Sequence, residues 1–336
     1  MTATPRSINL IAWDNKVGLS TDVHLLADAL RASGYAVHFS TLRRGKLRKW
    51  SRPVRLRARY LWQRLRGADC YDVNLLLEHV RPEDLPFARH NLLIPNPEWC
   101  LPRDVELLPR IDSVLVKTRH AQAIFAALGC RTASIGFASV DRRDASVPRQ
   151  RTFFHLAGRS TNKGTGRLLA LWRRHPEWPQ LTVVQNPRTG VVGAPAANIA
   201  HRIDYIDDAE LKHLQNANAF HLCCSEAEGF GHYIGEALGV GAVVLATDAP
   251  PMNELVTPER GLLVAFDDTG KQHLATTYHF SEAALEAAVQ RCIAMDAAER
   301  DRLGRNARAW FESNTAGFPA RLHDGIEAAL APSRNA

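Results

Sequence analysis

Along the chain, short runs of apolar and β-branched residues alternate with stretches in which apolar positions recur every three or four residues. That alternation predicts stacked βα units and parallel sheets. In the first half, Ile8–Trp13, Val37–Ser40, Val73–Leu77, Leu92–Pro95, Val114–Lys117 and Ala133–Phe137 read as strands. Ser20–Ser33 reads as a helix with Val23, Leu26, Ala27 and Leu30 on one stripe and Gly34 ending it; Arg119–Leu128 is a second, closed by Gly129. The polar stretch Ser139–Arg151 has no strand pattern and reads as a linker. The alternation then restarts. Strands are expected at Thr152–Ala157, Leu181–Gln185, Ile203–Ile206, Ala219–Cys224 and Ala242–Thr247. Helices are expected at Gly166–Arg174, Asp208–Asn216, His232–Val240, Glu282–Ala294 and Ala298–Ser313. Two successive α/β stretches of similar size predict two Rossmann-like, doubly wound domains, 1–145 and 146–336. They would face each other across a cleft, with ligands at the carboxyl ends of the strands. The last helix is expected to be able to pack back on the N-terminal domain.

Charge changes the picture in one place. The chain of 336 residues has 42 Lys and Arg against 35 Asp and Glu, a net charge of +7. Eleven basic residues and no acid lie between Thr41 and Arg66, so the rest of the chain carries −4. Leu47, Trp50, Val54, Tyr60, Leu61 and Trp62 are interleaved with them, which makes the segment amphipathic as well as basic. An anionic membrane surface or a polyanion selects that combination. A solvated helical face with Arg stems over apolar surface is the plainer alternative. No nucleic-acid motif accompanies the patch, so nucleic acid is not expected as a partner. Six cysteines without a Cys-x-x-Cys pair argue against a zinc site and a disulfide framework, and for reduced thiols in the cytoplasm. No run approaches the ~18 apolar residues of a membrane span.

The most informative stretch is 225–256. After the strand ending at Cys224 come Glu226 and Glu228, then Gly229-Phe230-Gly231, then a helix carrying Glu236. Gly229 and Gly231 let backbone approach a ligand, and the free N–H groups at the helix start suit a diphosphate. Carboxylates there accept hydrogen bonds from hydroxyls, which is how sugars and riboses are held.

This element resembles the Glu-x7-Glu block of group-1 (family 4) retaining glycosyltransferases, which have the GT-B fold. It reads Glu228-Gly229-Phe230-Gly231-His232-Tyr233-Ile234-Gly235-Glu236-Ala237, followed by the apolar strand 242–246 and Glu254-Leu255-Val256. Gly261-Leu262-Leu263-Val264 with Asp267 looks like the family's next block. The resemblance implies that Glu228 binds donor-sugar hydroxyls, that Glu236 binds the nucleotide ribose, and that Phe230 and Gly231 backbone lies on the sugar diphosphate. Phe153–Arg159 followed by Ser160-Thr161-Asn162-Lys163-Gly164 looks like the family's strand, Gly-Arg, loop and Lys-Gly element, with three residues between Arg159 and Lys163 where four are common. By that resemblance Arg159 and Lys163 neutralise the departing diphosphate. Ile203–Leu211 matches the family's strand, turn and helix start, which places the nucleobase at Arg202–Tyr205. An ordinary βα junction with Asp207 or Asp208 as helix N-cap is the alternative.

In the first half the family has a glycine-rich loop after its first strand. Here the loop is 14–21, with Gly18 as its only glycine. Acceptor-side groups are expected at later strand ends, at Glu78-His79 and Asn96–Trp99, with His79 the candidate functional histidine and a structural role its alternative. No Asp-x-Asp pair occurs, so the expected chemistry uses no metal and no cofactor beyond the sugar-nucleotide substrate. The expected protein is a cytoplasmic enzyme, peripheral on the inner face of the membrane through residues 41–66. It would act with retention on a glycan or lipid-linked acceptor in cell-envelope polysaccharide or lipopolysaccharide synthesis. The alternatives are a GT-B epimerase or phosphorylase, or a non-catalytic polyanion-binding protein of that fold.

Overall fold

A computed structural model describes residues 5–13, 18–42, 71–331 and, between them, residues 54, 58, 61 and 62. The chain divides into two compact units, Met1–Phe137 with Ala316–Ala336, and Ala138–Thr315.

The first unit holds a six-stranded parallel sheet. Its strands are β1 (Ser7–Trp13), β2 (Ala36–Leu42), β3 (Tyr71–Leu77), β4 (Ala88–Ile94), β5 (Ser113–Val116) and β6 (Thr132–Ser134), in the order β2-β1-β3-β4-β5-β6. Helices α1 (Gly18–Ala32), α2 (Pro102–Leu107) and α3 (Arg119–Ala127) connect them. The strands read as continuous apolar runs because helices cover a parallel sheet on its faces; Leu10, Val73, Leu75, Leu92, Leu93 and Leu115 are buried. One polar thread crosses this core. Asn9 lies opposite Asn74, and Asn74 opposite Asn91, in neighbouring strands. Asn9 Nδ2 donates to Asn74 Oδ1 at 2.8 Å, and Asn74 Nδ2 donates to Asn91 Oδ1 at 2.9 Å and to the Asp84 carbonyl at 2.8 Å.

The second unit repeats the plan. Strands β7 (Gln150–Gly158), β8 (Leu181–Gln185), β9 (Ile199–Arg202), β10 (Asn218–Cys223), β11 (Val243–Thr247) and β12 (Gly261–Val264) form a parallel sheet in the order β12-β11-β10-β7-β8-β9. Its helices are α4 (Thr165–Arg174), α5 (Asp208–Ala217), α6 (His232–Gly239), α7 (Met252–Leu255) and α8 (Glu282–Ala294). Phe153 on β7 anchors the core, its ring 4.9 Å from both Trp172 and Phe220.

Two expectations are corrected. The strand expected at Ile203–Ile206 is Ile199–Arg202, where the Leu181 amide meets the Asn198 carbonyl and the pairing runs from Leu181↔Ile199 to Val184↔Arg202. As a half-buried edge strand it carries no strong apolar pattern. The helix expected to stop at Ser313 is α9 (Ala297–Leu330), which continues through Pro319 because Phe318 is buried, 5.0 Å from Phe137. Asp267 lies in a hairpin that the sequence pattern did not mark: Phe266–Gln272 (β13) and Ala275–Phe280 (β14) pair antiparallel between β12 and α8.

Candidate functional site

In each sheet the strand order reverses at one point, and loops leaving the carboxyl ends of the two strands there diverge to opposite faces and leave a crevice. In the second sheet that point lies between β7 and β10. Arg159 and Lys163 follow β7; Glu228, Gly229, Phe230 and Gly231 follow β10, and Glu236 sits in the helix after them. The sheet topology thus brings together residues separated by some seventy positions.

The two loops are joined directly. Lys163 Nζ lies 2.6 Å from Glu228 Oε1, with the ammonium 3.2 Å from the centroid of the Tyr233 ring. Ser225 Oγ donates to the same carboxylate oxygen at 2.5 Å and shares a hydrogen bond with the Tyr233 hydroxyl. Burial, with Cys223 and the Glu228 carboxylate nearby, raises the Tyr233 phenol well above its ordinary range, so it stays a neutral donor. Arg159 is exposed at the end of β7 and makes no ion pair among the described residues.

Two glycines shape the loops. Gly164 precedes α4 with φ +64°, and a Cβ there would lie 2.7 Å from the Phe280 ring. Gly231 precedes α6 with φ +96°. Both adopt the left-handed conformation that side chains disfavour. Neither helix has a side-chain cap, and a helix start without one is where an anion can meet backbone amides. Phe230 is buried, 5.5 Å from the His232 ring.

Glu236 has its own support. Gln215 Nε2 donates to Glu236 Oε2 at 2.8 Å, and Gln215 in turn accepts from Arg142 Nε. Arg142 is buried and also binds Asp208 Oδ1 at 2.8 Å. Burial pushes the Glu236 carboxyl up, against the Gln215 hydrogen bond and the Arg142 charge. Gln215 and Arg142 were missed by sequence reasoning, which had no motif to mark them.

Arg202 and Tyr205 lie apart from this cluster's hydrogen bonds. Arg202 binds Asp204 at 3.1 Å and Glu210 at 2.8 Å, which raises its pKa, and Tyr205 is 88% exposed. Asp207 is the N-cap of α5, accepting from the Glu210 amide at 2.7 Å.

In the first unit the order reverses between β1 and β3. Gly18, the first residue of α1, follows β1; the rest of its loop, 14–17, lies outside the described residues. His79 follows β3, directly after Glu78, whose φ of +63° is a left-handed conformation of the kind that clusters at functional sites. His79 Nδ1 is 2.8 Å from Asp104 Oδ2. Asp104 is fully buried, yet hydrogen bonds from His79 and from the Val80 and Leu101 amides outweigh that burial and hold its pKa below the ordinary value. It therefore fixes the His79 ring. A cavity of about 590 Å³ elsewhere in this unit, against Leu108, Cys130, Arg131 and Ala329, contains none of the candidate residues.

No protein-family model and no curated protein matches the sequence. Solved structures do resemble it. Sucrose-phosphate synthase from Thermosynechococcus elongatus superimposes with a TM-score of 0.70 at 17% identity, over 98% of this chain and 100% of that one. Anabaena HepE in complex with UDP and glucose gives 0.67 at 15% identity, over 96% and 100%. A glycosyltransferase from Rickettsia africae gives 0.66 at 12%, over 99% and 100%. Two parallel six-stranded sheets with flanking helices, matched along nearly the whole chain, define the GT-B fold. No helix among the described residues is long and apolar enough to cross a membrane, and no cluster of three metal-binding side chains occurs among them.

Proposed function

We propose that the chain is a retaining glycosyltransferase that moves a sugar from a nucleoside-diphosphate sugar to a glycan or lipid-linked acceptor. The observation that carries this reading is the meeting of Lys163 with Glu228 at the reversal point of the second sheet, between two uncapped helix starts. A diphosphate seated there meets first-turn amides from two helices, the Lys163 ammonium and the Arg159 guanidinium. As the bond to the anomeric carbon breaks, negative charge collects on the diphosphate, and fixed donors at that position lower the barrier most. Glu228 accepts from donor-sugar hydroxyls and Glu236 from the ribose. Uridine is the favoured base, because the Anabaena HepE structures are complexes with UDP, UDP with glucose, and UDP-glucose. Retention follows from the resemblance of the Glu-x7-Glu element, and the chemistry needs no metal. His79, its ring held by Asp104, is the acceptor-side candidate.

The acceptor reading rests on the basic insert. Val54, Ala58, Leu61 and Trp62 are helical and exposed, with Val54 at 67%, Leu61 at 59% and Trp62 at 53%. Their spacing puts them on one helical stripe. The eleven basic residues of 41–66 surround them in sequence, so the segment is suited to lie on an anionic membrane in cell-envelope polysaccharide or lipopolysaccharide synthesis. The remainder of the insert lies outside the described residues.

A thermal-shift panel of UDP, GDP and ADP with their sugars tests the donor site, since a bound ligand raises apparent stability. One of the three should stabilise the wild type, and E236A and R159A should abolish that shift; unchanged shifts in both variants would remove the assignment. Charge reversal across Arg43–Arg59 should release the protein from anionic vesicles, and retention on them would remove the membrane role.

A further inference from the structure

The hairpin β13–β14 packs on the donor-site loops at three places. Asn162 Nδ2 donates to Gln272 Oε1 at 2.6 Å, beside Lys163. Glu226, two residues before Glu228, is held through three of its groups. Its amide donates to the Asn162 carbonyl at 2.9 Å, its carbonyl accepts from the Tyr278 amide at 2.8 Å, and its carboxylate lies 3.3 Å from His279 Nδ1. Phe280 at the hairpin's base closes against Gly164, and the Arg167 guanidinium stacks 5.0 Å above the same ring. Hairpin and both loops thus form one cross-tied cluster. The Glu236 end is built from other parts, Gln215 and Arg142.

We infer that this hairpin is the specificity element for the sugar half of the donor, with His279 directly, and Gln272 through Asn162, positioning Glu226 and the loop that carries Glu228. The inference rests on the donor-site reading above and adds a division of labour. The Glu236 end fixes the nucleoside, and the hairpin end sets which sugar can sit against Glu228. A hydrogen-bonded sugar site rejects a poorly matched epimer through hydroxyls left unpaired, so small shifts of a supporting residue change selectivity. His279 and Gln272 touch no substrate in this scheme and act through Glu226 and Asn162.

The test uses the full chain with Q272A, H279A and the conservative H279N, titrated with UDP and UDP-glucose, GDP and GDP-mannose, and ADP and ADP-glucose. For whichever nucleotide binds the wild type, Q272A and H279A should leave the diphosphate Kd within about twofold and weaken the sugar nucleotide about tenfold. H279N, whose Nδ2 takes the place of Nδ1 as a donor to Glu226, should recover most of that loss. Thermal melts identify any variant that fails to fold, and the Q272A and H279A results are read separately for that reason. Equal weakening of diphosphate and sugar nucleotide, or no change in either, overturns the hairpin's role. A wild type that binds none of the six overturns the donor-site reading itself, and the inference with it.

Discussion

Lys163 and Glu228 neutralise each other at 2.6 Å, joining the loop after β7 to the loop after β10 with both side chains largely buried. A diphosphate and a sugar hydroxyl would each claim one partner, so donor binding exchanges an internal ion pair for two contacts to the ligand. A diphosphate without its sugar takes the ammonium and leaves the carboxylate with Ser225 only. Glu228→Gln should therefore tighten the bare nucleoside diphosphate by about three- to tenfold, because the competing charge is gone, while the sugar nucleotide gains nothing. Lys163→Ala should weaken both by about tenfold or more. Calorimetric titration of the two ligands against the two variants reads this directly; a bare diphosphate that binds E228Q no better than wild type contradicts the exchange.

Glu236 offers a second, independent handle. Its carboxylate is aimed by Gln215, which is aimed by Arg142. Gln215→Leu keeps volume and removes the hydrogen bond, so the nucleotide Kd should rise by about three- to tenfold with the fold intact. Free ribose-lacking diphosphates such as pyrophosphate should bind Q215L and wild type alike, since they never reach Glu236. An equal loss for both ligands would mean that Gln215 supports the loop and not the carboxylate.

Why some of this was legible in sequence and some was not has a physical basis. Strands of a parallel sheet covered on both faces must be apolar, so β3, β4, β10 and β11 announce themselves, and Gly231 marks a helix start because its φ of +96° excludes most side chains. The meeting of Lys163 with Glu228 could be suspected only from family resemblance, since no local pattern encodes a contact across the reversal point. The edge strand β9 was misplaced because its residues are half-buried and carry no periodicity. The hairpin was missed because β13 reads Asp-Asp-Thr-Gly-Lys-Gln after Phe266, an exposed polar run of the kind that ordinarily marks a loop. Asp104 and Gln215 were invisible because their roles come from partners 25 and 21 positions away.

The asparagine thread of the first sheet was equally hidden, and it has a measurable consequence. Asn74 is fully buried and occupies both of its neighbours, donating to Asn91 and Asp84 and accepting from Asn9. Asn74→Leu would leave the buried Asn9 amide without its acceptor and force a branched side chain into the same layer. The expected cost is about 2–4 kcal/mol, seen as a lower urea midpoint with an unchanged slope. The nucleotide Kd should stay where it is, because the second unit carries that site. A variant as stable as wild type would show that the thread is filled by repacking.

Acid stability supplies the last prediction, and its sign follows from two buried histidines. His155 on β7 lies 2.7 Å from the Leu222 carbonyl through Nδ1 and 2.9 Å from the Thr165 hydroxyl through Nε2. A carbonyl can only accept, so Nδ1 carries the proton and Nε2 accepts from Thr165. Protonating the ring would place a charge in the core and turn that second bond round, with Thr165 as the acceptor. Burial, with Lys163 nearby, brings the His155 pKa down to about 4, and burial beside Arg149 brings that of His221 down to about 3. Unfolded histidines titrate near 6.5, so between about pH 6.5 and 4 the unfolded chain binds more protons than the folded one, and stability must fall as pH falls. His155 contributes up to ~3 kcal/mol of that loss, and the loss ends once the pH is below the folded value. Thermal midpoints should therefore drop between pH 7 and pH 5. A doubly substituted H155Q/H221Q protein, though less stable at pH 7, should show a flatter profile across this window. A wild-type profile that is already flat there, or a double variant whose slope equals that of the wild type, would show that these two rings are not what acid titrates.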